Sequence, residues 1–292
     1  MAKIPVMGTG LSGLVGSRFV KDFSDRYSFQ NFDISDSIAP VDITNLAQVE
    51  RAIENSAAQY IVHCAAFTDV TQAWQQRDDK NGLAYTVNVI GTENIVRAAE
   101  AANKHLIHIS TAYVFDGEKD DMYTEQDAVH PIEWYGQTKA WAEEKVQSSH
   151  CKWTILRIDQ PFRSDHFPKL DVAHRIISGL QNTSLYPQFT NHYFGPTFVD
   201  DFAKVIEWVI RTKTTGLFHA SSGEKWSDYD FATTIKNALH LNGEIKKGDL
   251  QEYLKTVNRP YQKNTALSCS KLKKALDFEM KNISSAIASV TV

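Results

Sequence analysis

The sequence predicts an α/β fold: a doubly wound parallel sheet with a smaller, discontinuous C-terminal lobe. Three observations lead there. Short apolar runs alternate with helical stretches over residues 1–110, the pattern of right-handed βαβ units. The first run ends in a glycine-rich turn that opens a helix. A later run, Tyr60 to Ala66, is apolar throughout rather than alternating, as suits a strand buried on both faces of a parallel sheet.

Residues 3–7 form the first strand, although Pro5 removes a ladder donor from what should be a central position. Gly8-Thr9-Gly10-Leu11-Ser12-Gly13-Leu14-Val15-Gly16 follows, and a helix is expected from Leu14 to Phe23. Gly10, Gly13 and Gly16 have a spacing that lets backbone approach a pyrophosphate at a helix N-terminus, though many plain tight turns also look like this. Tyr27 to Ile34 reads as the second strand. Asp33 lies about 20 residues past the loop, where a carboxylate can bond an adenine-ribose hydroxyl or simply cap a turn. Helices are expected over Leu46–Ala57 and Gly82–Asn103, the latter carrying Asn88. His105 to Ser110 is a further strand. Ser110-Thr111-Ala112-Tyr113 sits past its carboxyl end, where ligands bind in open α/β sheets and where turns also favour Ser and Thr.

Trp134 to Glu144 reads as a helix rich in Ala, Lys, Gln and Glu. Tyr135 and Lys139 are four apart and share a face. An ammonium beside a phenol favours the phenolate and would lower its pKa towards neutrality, making an acid/base pair. The plainer alternative is a solvated lysine packed on a half-buried tyrosine. A strand follows from Trp153 to Ile158. The second half alternates less regularly: prolines and aromatics over 159–197 with a helix near Asp171–Gly179, a helix over Phe198–Arg211, a strand at Gly216–Ala220, and a helix from Ser227 to Leu239 that Ser227 caps. A polar tail with two short helices begins near residue 244. The expected division is a body of residues 1–158 with 198–222 and a lobe of residues 159–197 with 223–292, the substrate lying between them.

Composition narrows the class. The chain has 292 residues, 42% hydrophobic and 23% charged, with a formal net charge of −4. That charge gives no footprint for nucleic acid or an anionic membrane. Cys64, Cys151 and Cys269 are too scattered for a disulfide framework or a structural zinc site, and they fit a reducing compartment. There is no apolar signal core and no long apolar span, so a cytoplasmic location is the expectation. No metal is expected, and a homodimer is compatible with the chain.

Taken as an ordered set, these motifs resemble the extended short-chain dehydrogenase/reductase family. The set runs Thr9-Gly10-x-x-Gly13-x-x-Gly16, Asp33, Asp42-Ile43, Cys64-Ala65-Ala66, Asn88, Ser110-Thr111, then Tyr135-x-x-x-Lys139. Within the family the chain is most similar to the dTDP-4-dehydrorhamnose reductase branch. Residues 110–117, 135–139 and 155–157, Phe194-Gly195-Pro196-Thr197 with Asp201, Gly216-Leu217-Phe218-His219, and Arg259-Pro260 through Ser268 carry that closer likeness. The resemblance implies a Rossmann fold and an NAD(P)H cofactor held by Gly10, Leu11, Ser12, Gly13, Asp33, Asp42, Ile43, Cys64, Ala65, Ala66, Asn88, Tyr135 and Lys139. It implies Tyr135 as proton donor to a sugar C4 oxygen, Lys139 on the nicotinamide ribose, and Thr111 orienting the same oxygen. Tyr113, Phe115, Arg157 and Arg259 would touch a nucleotide-linked 4-keto-6-deoxy sugar. Asp33 favours NADH by repelling a 2′-phosphate, with Arg18 nearby as the complication.

Two departures stand out. Ala112 replaces the branch's usual Asp, and Ile158-Asp159-Gln160 replaces its usual Thr-Ser-Trp. Both places are expected to meet the sugar, so its identity is not carried across. An epimerase, a bifunctional epimerase/reductase, and a cofactor-binding regulatory subunit like the relative that supports methionine adenosyltransferase remain as alternatives.

Overall fold

The computed structural model describes residues 2–35 and 40–292. Five strands, β1 (Ile4–Thr9), β2 (Tyr27–Asn31), β3 (Tyr60–His63), β4 (His105–Thr111) and β5 (Lys152–Ile158), join an edge strand, Gly216–His219. They form one six-stranded parallel sheet, in which β2 and β1 lie on one side of β3 and then β4, β5 and the edge strand follow. Chain order therefore reverses between β1 and β3, so the crevice of a doubly wound sheet opens past Thr9 and His63.

The apolar runs are continuous because both faces are covered. Val6, Val62, Ile107 and Leu156 pack on one side with α1 (Gly16–Phe23) and the helix Val199–Thr212. Met7, Ile61, Leu106 and Ile155 pack on the other side with α2 (Leu46–Glu54) and the helix Thr92–Ala101. Pro5 is tolerated because it stands at the entry of β1: it pairs only with Ser28 of β2, and pairing with β3 begins at Val6.

Several boundaries differ from expectation for local reasons. The strand expected to reach Ala66 ends at His63, because the amides of Cys64 and Ala65 both turn to Thr9 O, at 2.9 and 3.1 Å. The helix expected over 82–103 is interrupted: an α-turn at Leu83–Tyr85, a π-helical turn at Thr86–Gly91, and α-helix from Thr92 to Ala101. Gly91 crosses Ile43 so closely that a Cβ there would lie 2.7 Å from Cδ1 of Ile43, and the π-turn puts buried Asn88 on the inner side. The tail holds three short helices, not two: Leu250–Leu254, Ser270–Ala275 and Ile283–Ile287.

A separate apolar cluster forms beyond β5. Phe162, Ile176, Ile177, Phe194 and Phe231 join Ile283 and Ile287 from the tail. Ser227 caps its helix as expected, accepting from the amide of Asp230.

Candidate functional site

The carboxyl ends of β1, β3, β4 and β5 face one cleft of about 700 Å³. Gly10 and Gly13–Gly16 line one wall with Cys64–Ala66, and Ser110, Thr111, Tyr135 and Lys139 line another. The site thus joins groups that are 125 residues apart in the chain, between Gly10 and Tyr135.

The glycines have different jobs. Gly10 has φ +70°, and a Cβ on it would meet the Ala65 amide nitrogen at 2.5 Å. At Gly16 a Cβ would sit 2.5 Å from Gly10 O and from Leu11 Cα. Gly13 is freer within the protein, with only Gly10 O within 3.1 Å, and it lines the cleft. Leu11 and Ser12, expected to touch a cofactor, do not line it. Leu11 is buried in the core beneath the loop, and the Ser12 hydroxyl accepts from Asn31 Nδ2 at 2.7 Å. Leu14 and Val15 line the cleft in their place, because the turn through Gly13 carries the chain back over its mouth.

Asp33 faces the loop. Its carboxylate accepts from the amide of Gly10 and, at 3.1 Å, from that of Ser12, so it fixes the glycine turn to the end of β2. Arg18 is engaged elsewhere, pairing with Asp22 and Asp200 at 2.8 Å each. Asp42, Ile43 and Asn88 also lie off the cleft. Asp42 closes a turn onto the amide and hydroxyl of Thr44, and Ile43 is core. Asn88 spends its amide on Phe67 N and O, at 2.8 and 3.1 Å, and on Thr138 Oγ1 at 2.9 Å. It bolts the loop after β3 to α6 (Trp134–Gln147), with both Nδ2 hydrogens and one Oδ1 lone pair used.

The Thr111–Tyr135 juxtaposition has a local cause. Glu133 caps α6, accepting from the amides of Tyr135 at 2.8 Å and Gly136 at 2.5 Å. Gly136 then lets the helix end meet the turn after β4: a Cβ there would lie 2.0 Å from Tyr113 O. Tyr135 is thereby pressed against that turn, edge-on to Tyr113 at 5.8 Å, and lines the cleft together with Thr111.

The expected lowering of the Tyr135 pKa by Lys139 does not hold in this arrangement. Burial raises the phenol well above its ordinary value, Glu133 and Asp159 push the same way, and Thr111 opposes them. The Lys139 ammonium instead donates to Ile109 O at 2.8 Å and lies 3.2 Å from His108 Nε2. Burial brings its own pKa down to about 8, against the pull of Glu143 and Cys64. The Cys64 thiol, pushed up to about 12 by burial and by Asp33, stays protonated.

Of the four residues expected on the substrate side, Tyr113 and Arg259 line the cleft and Phe115 and Arg157 do not. Phe115 is core, stacked on Tyr123 at 4.2 Å. Arg157 is buried in a two-point pair with Glu143, at 2.8 and 2.6 Å, beneath the Phe115 ring. A cation so enclosed is held by its partner and is not free for a ligand. Arg259 is different: its guanidinium lies 4.0 Å from the Tyr261 ring centroid, and its Nη1 is buried with no protein partner.

Asp159 was expected to meet the sugar only as part of the stretch Ile158-Asp159-Gln160, with no role of its own. It lines the cleft directly after β5, 2% exposed, and burial raises its carboxyl to about 7. The only signal was its place in the departure from the family pattern. Sequence reasoning missed Lys169; it lines the cleft and donates to Thr68 Oγ1 at 2.9 Å, joining the 159–197 insertion to the loop after β3. Among the described residues there is no cluster suited to a metal ion, and no helix is long and apolar enough to cross a membrane.

The chain has clear relatives. The family model of the RmlD substrate binding domain matches residues 4–291. The dTDP-4-dehydrorhamnose reductase of Aggregatibacter actinomycetemcomitans is 30% identical over 285 residues, 94% of this chain and 92% of that one. The methionine adenosyltransferase 2 subunit beta of Xenopus laevis is 28% identical over 281 residues, 91% of this chain and 80% of that one. The crystal structure of dTDP-4-dehydrorhamnose reductase from Bacillus anthracis in complex with NADP superposes with a TM-score of 0.88 at 26% identity, covering 98% of each chain. The parallel sheet, the glycine turn, the Tyr135–Lys139 helix and this full-length match together place the chain in the RmlD family, the dTDP-4-dehydrorhamnose reductase-like branch of the extended short-chain dehydrogenases/reductases.

Proposed function

We propose that the protein is an NAD(P)H-dependent reductase of a nucleotide-linked 4-keto-6-deoxy sugar. The observation that carries this reading is that Thr111, Tyr135 and Lys139 share one cleft with the glycine turn. The relatives that are dTDP-4-dehydrorhamnose reductases support it, as does the bound NADP of the Bacillus anthracis structure.

The residues present fit a dinucleotide. The backbone of Gly13–Gly16 borders the cleft at the start of α1, where exposed amides favour a pyrophosphate, and Gly13 leaves room for it. The bound nicotinamide would supply the hydride. The chain would do the rest. Thr111 orients the carbonyl oxygen, and Tyr135 gives that oxygen a proton as the alkoxide forms. Burial keeps the phenol in the protonated form that reduction needs but makes it a weaker acid, so the strongly basic alkoxide must drive the transfer. Lys139, brought down to about 8 by burial and fixed by its contact with Ile109 O, would hold the nicotinamide ribose. Arg259 would take a diphosphate oxygen on its unpartnered Nη1. We assign the dinucleotide to residues 1–158 with 198–222 and the sugar to residues 159–197 with 223–292. The Asp33 carboxylate at the loop and the engagement of Arg18 by acids favour NADH over NADPH.

The test is a panel of 4-keto nucleotide sugars offered with NADH and with NADPH, following absorbance at the reduced nicotinamide band and identifying the product. Oxidation with one sugar is expected; no oxidation with any of them removes the reading. The match to methionine adenosyltransferase 2 subunit beta favours a second reading, a cofactor-binding regulatory subunit. Recovery of a stoichiometric synthetase partner, with no turnover of any sugar, would favour it over the first.

A further inference from the structure

Three acids that the reaction above does not use line the cleft, and two of them, Asp69 and Asp171, cap helices, accepting from Gln72 N and His174 N; Asp159 caps none. Asp159 follows β5 directly and is 2% exposed. Its Oδ2 accepts from Gly195 N at 2.9 Å and from Thr265 Oγ1 at 2.7 Å. Its main chain is fixed as well: Thr197 Oγ1 accepts from Asp159 N at 3.0 Å and donates to Asp159 O at 2.7 Å. Two segments distant in sequence, at Gly195 and Thr265, thus hold one carboxyl in one orientation.

The other oxygen, Oδ1, is buried and has no partner. A buried polar atom without a partner is costly, and natural proteins rarely leave one without a use. Internal structure would be served equally well by a residue presenting a single acceptor. The neighbouring Gln160, also on the cleft, adopts φ +35°, an unfavourable conformation for a non-glycine residue that is concentrated at functional sites. Asp159 directly follows Ile158, the sheet partner of Thr111, so it lies on the side of the cleft where the reacting oxygen is expected.

From this we infer that Asp159 is a specificity-determining residue whose Oδ1 accepts a hydrogen bond from a ring hydroxyl beside the carbonyl of the sugar substrate. The inference rests on the reductase reading of the same cleft and deepens it by naming a substrate feature. With the C4 oxygen held at Thr111 and Tyr135, the neighbouring ring carbons are C3 and C5. In a 6-deoxy sugar C5 carries a methyl group, so the hydroxyl donor is on C3. The pocket would select against 4-keto-3,6-dideoxy sugars, which leave Oδ1 unpaired. A site built to bond a hydroxyl discriminates far more strongly than an apolar one.

The experiment compares two probes, a nucleotide-linked 4-keto-6-deoxy sugar and its 3-deoxy analogue, on the full chain with reduced nicotinamide. Wild type should prefer the hydroxylated sugar. Asp159→Ala should lose about 10²–10⁴ in kcat/KM on that sugar, the scale of a lost hydroxyl partner. Its loss on the 3-deoxy analogue should be at least tenfold smaller. Equal losses on both probes, or none on either, would overturn the inference. Asp159→Asn guards against a folding defect, because its remaining oxygen keeps the bonds to Gly195 and Thr265 while its amide presents donors to the cleft; it should narrow the preference in the same sense. Binding of reduced nicotinamide, read by its fluorescence, should survive in both variants. If wild type binds reduced nicotinamide but turns over no nucleotide sugar, the reductase reading fails and takes this inference with it; turnover without a C3 preference defeats the inference alone.

Discussion

The two walls of the cleft are built on different principles. The wall from Gly10 to Gly16 is backbone: its groups are amides, its neighbours are adjacent in sequence, and its requirement is space. The opposite wall is side chains: Thr111, Tyr135, Lys139 and Asp159 come from β4, α6 and the end of β5, and their requirement is orientation by buried partners. The first wall therefore depends on what is absent at a position, and the second on what surrounds each group.

That contrast can be broken or sharpened. The largest effect should come from the side-chain wall. Tyr135→Phe should cut turnover by about 10²–10⁴, the size of a lost acid/base group, while reduced nicotinamide still binds. Activity equal to wild type would remove Tyr135 from the chemistry. Next is the buried pair beneath that wall. Arg157→Leu leaves Glu143 buried without its partner and should destabilise the fold by about 3–5 kcal/mol in denaturant titrations. A marked rise in KM with stability intact would instead mean that Arg157 reaches substrate.

A third test uses pH. Asp159 and Glu133 are both raised to about 7 by burial. Their stabilisation is complete below the unfolded-state carboxyl pKa and is lost as pH rises through 7. Four buried histidines act in the opposite sense. His63 and His219 are depressed to about 3, His105 to about 4 and His108 well below its ordinary value, so their contribution is full above about 6.5 and is lost on acidification. Wild type should therefore be most stable near neutrality. Asp159→Asn isolates one term: its stability relative to wild type should increase between pH 5 and pH 8, by an amount on the order of 1.4 kcal/mol per unit over which the carboxyl titrates. A difference that does not move with pH would mean that Asp159 is already ionised at pH 5.

The smallest effects should separate the glycines. Gly16→Ala forces backbone apart and should lower stability by about 1–3 kcal/mol. Gly13→Val should cost less stability than Gly16→Ala, because its Cβ meets only Gly10 O, at 3.1 Å, but should weaken nicotinamide dinucleotide binding at least about tenfold, because position 13 borders the cleft. If both variants change only stability, Gly13 is not a contact.

The strands, the glycine turn and the Tyr135 helix were legible in the chain because each depends on neighbours in sequence: apolar runs, a glycine spacing, a run of Ala, Lys, Gln and Glu. The same local logic could not foresee that β3 would end at His63, since the amides of Cys64 and Ala65 are claimed by Thr9, more than fifty residues away. Nor could it show that Asn88 and Arg157, both polar and both in recognisable motifs, spend their atoms on protein partners.

The sequence by itself determined the class of fold, the order of its elements and the residue types available for chemistry, because hydrophobic period and turn geometry are short-range properties. Tertiary structure alone decided which of those residues meet in the cleft, which are sealed beneath it, and which way burial moves their protons. Desolvation and hydrogen-bond pairing depend on what surrounds an atom in space, and for Tyr135, Lys139 and Asp159 those surroundings come from distant parts of the chain.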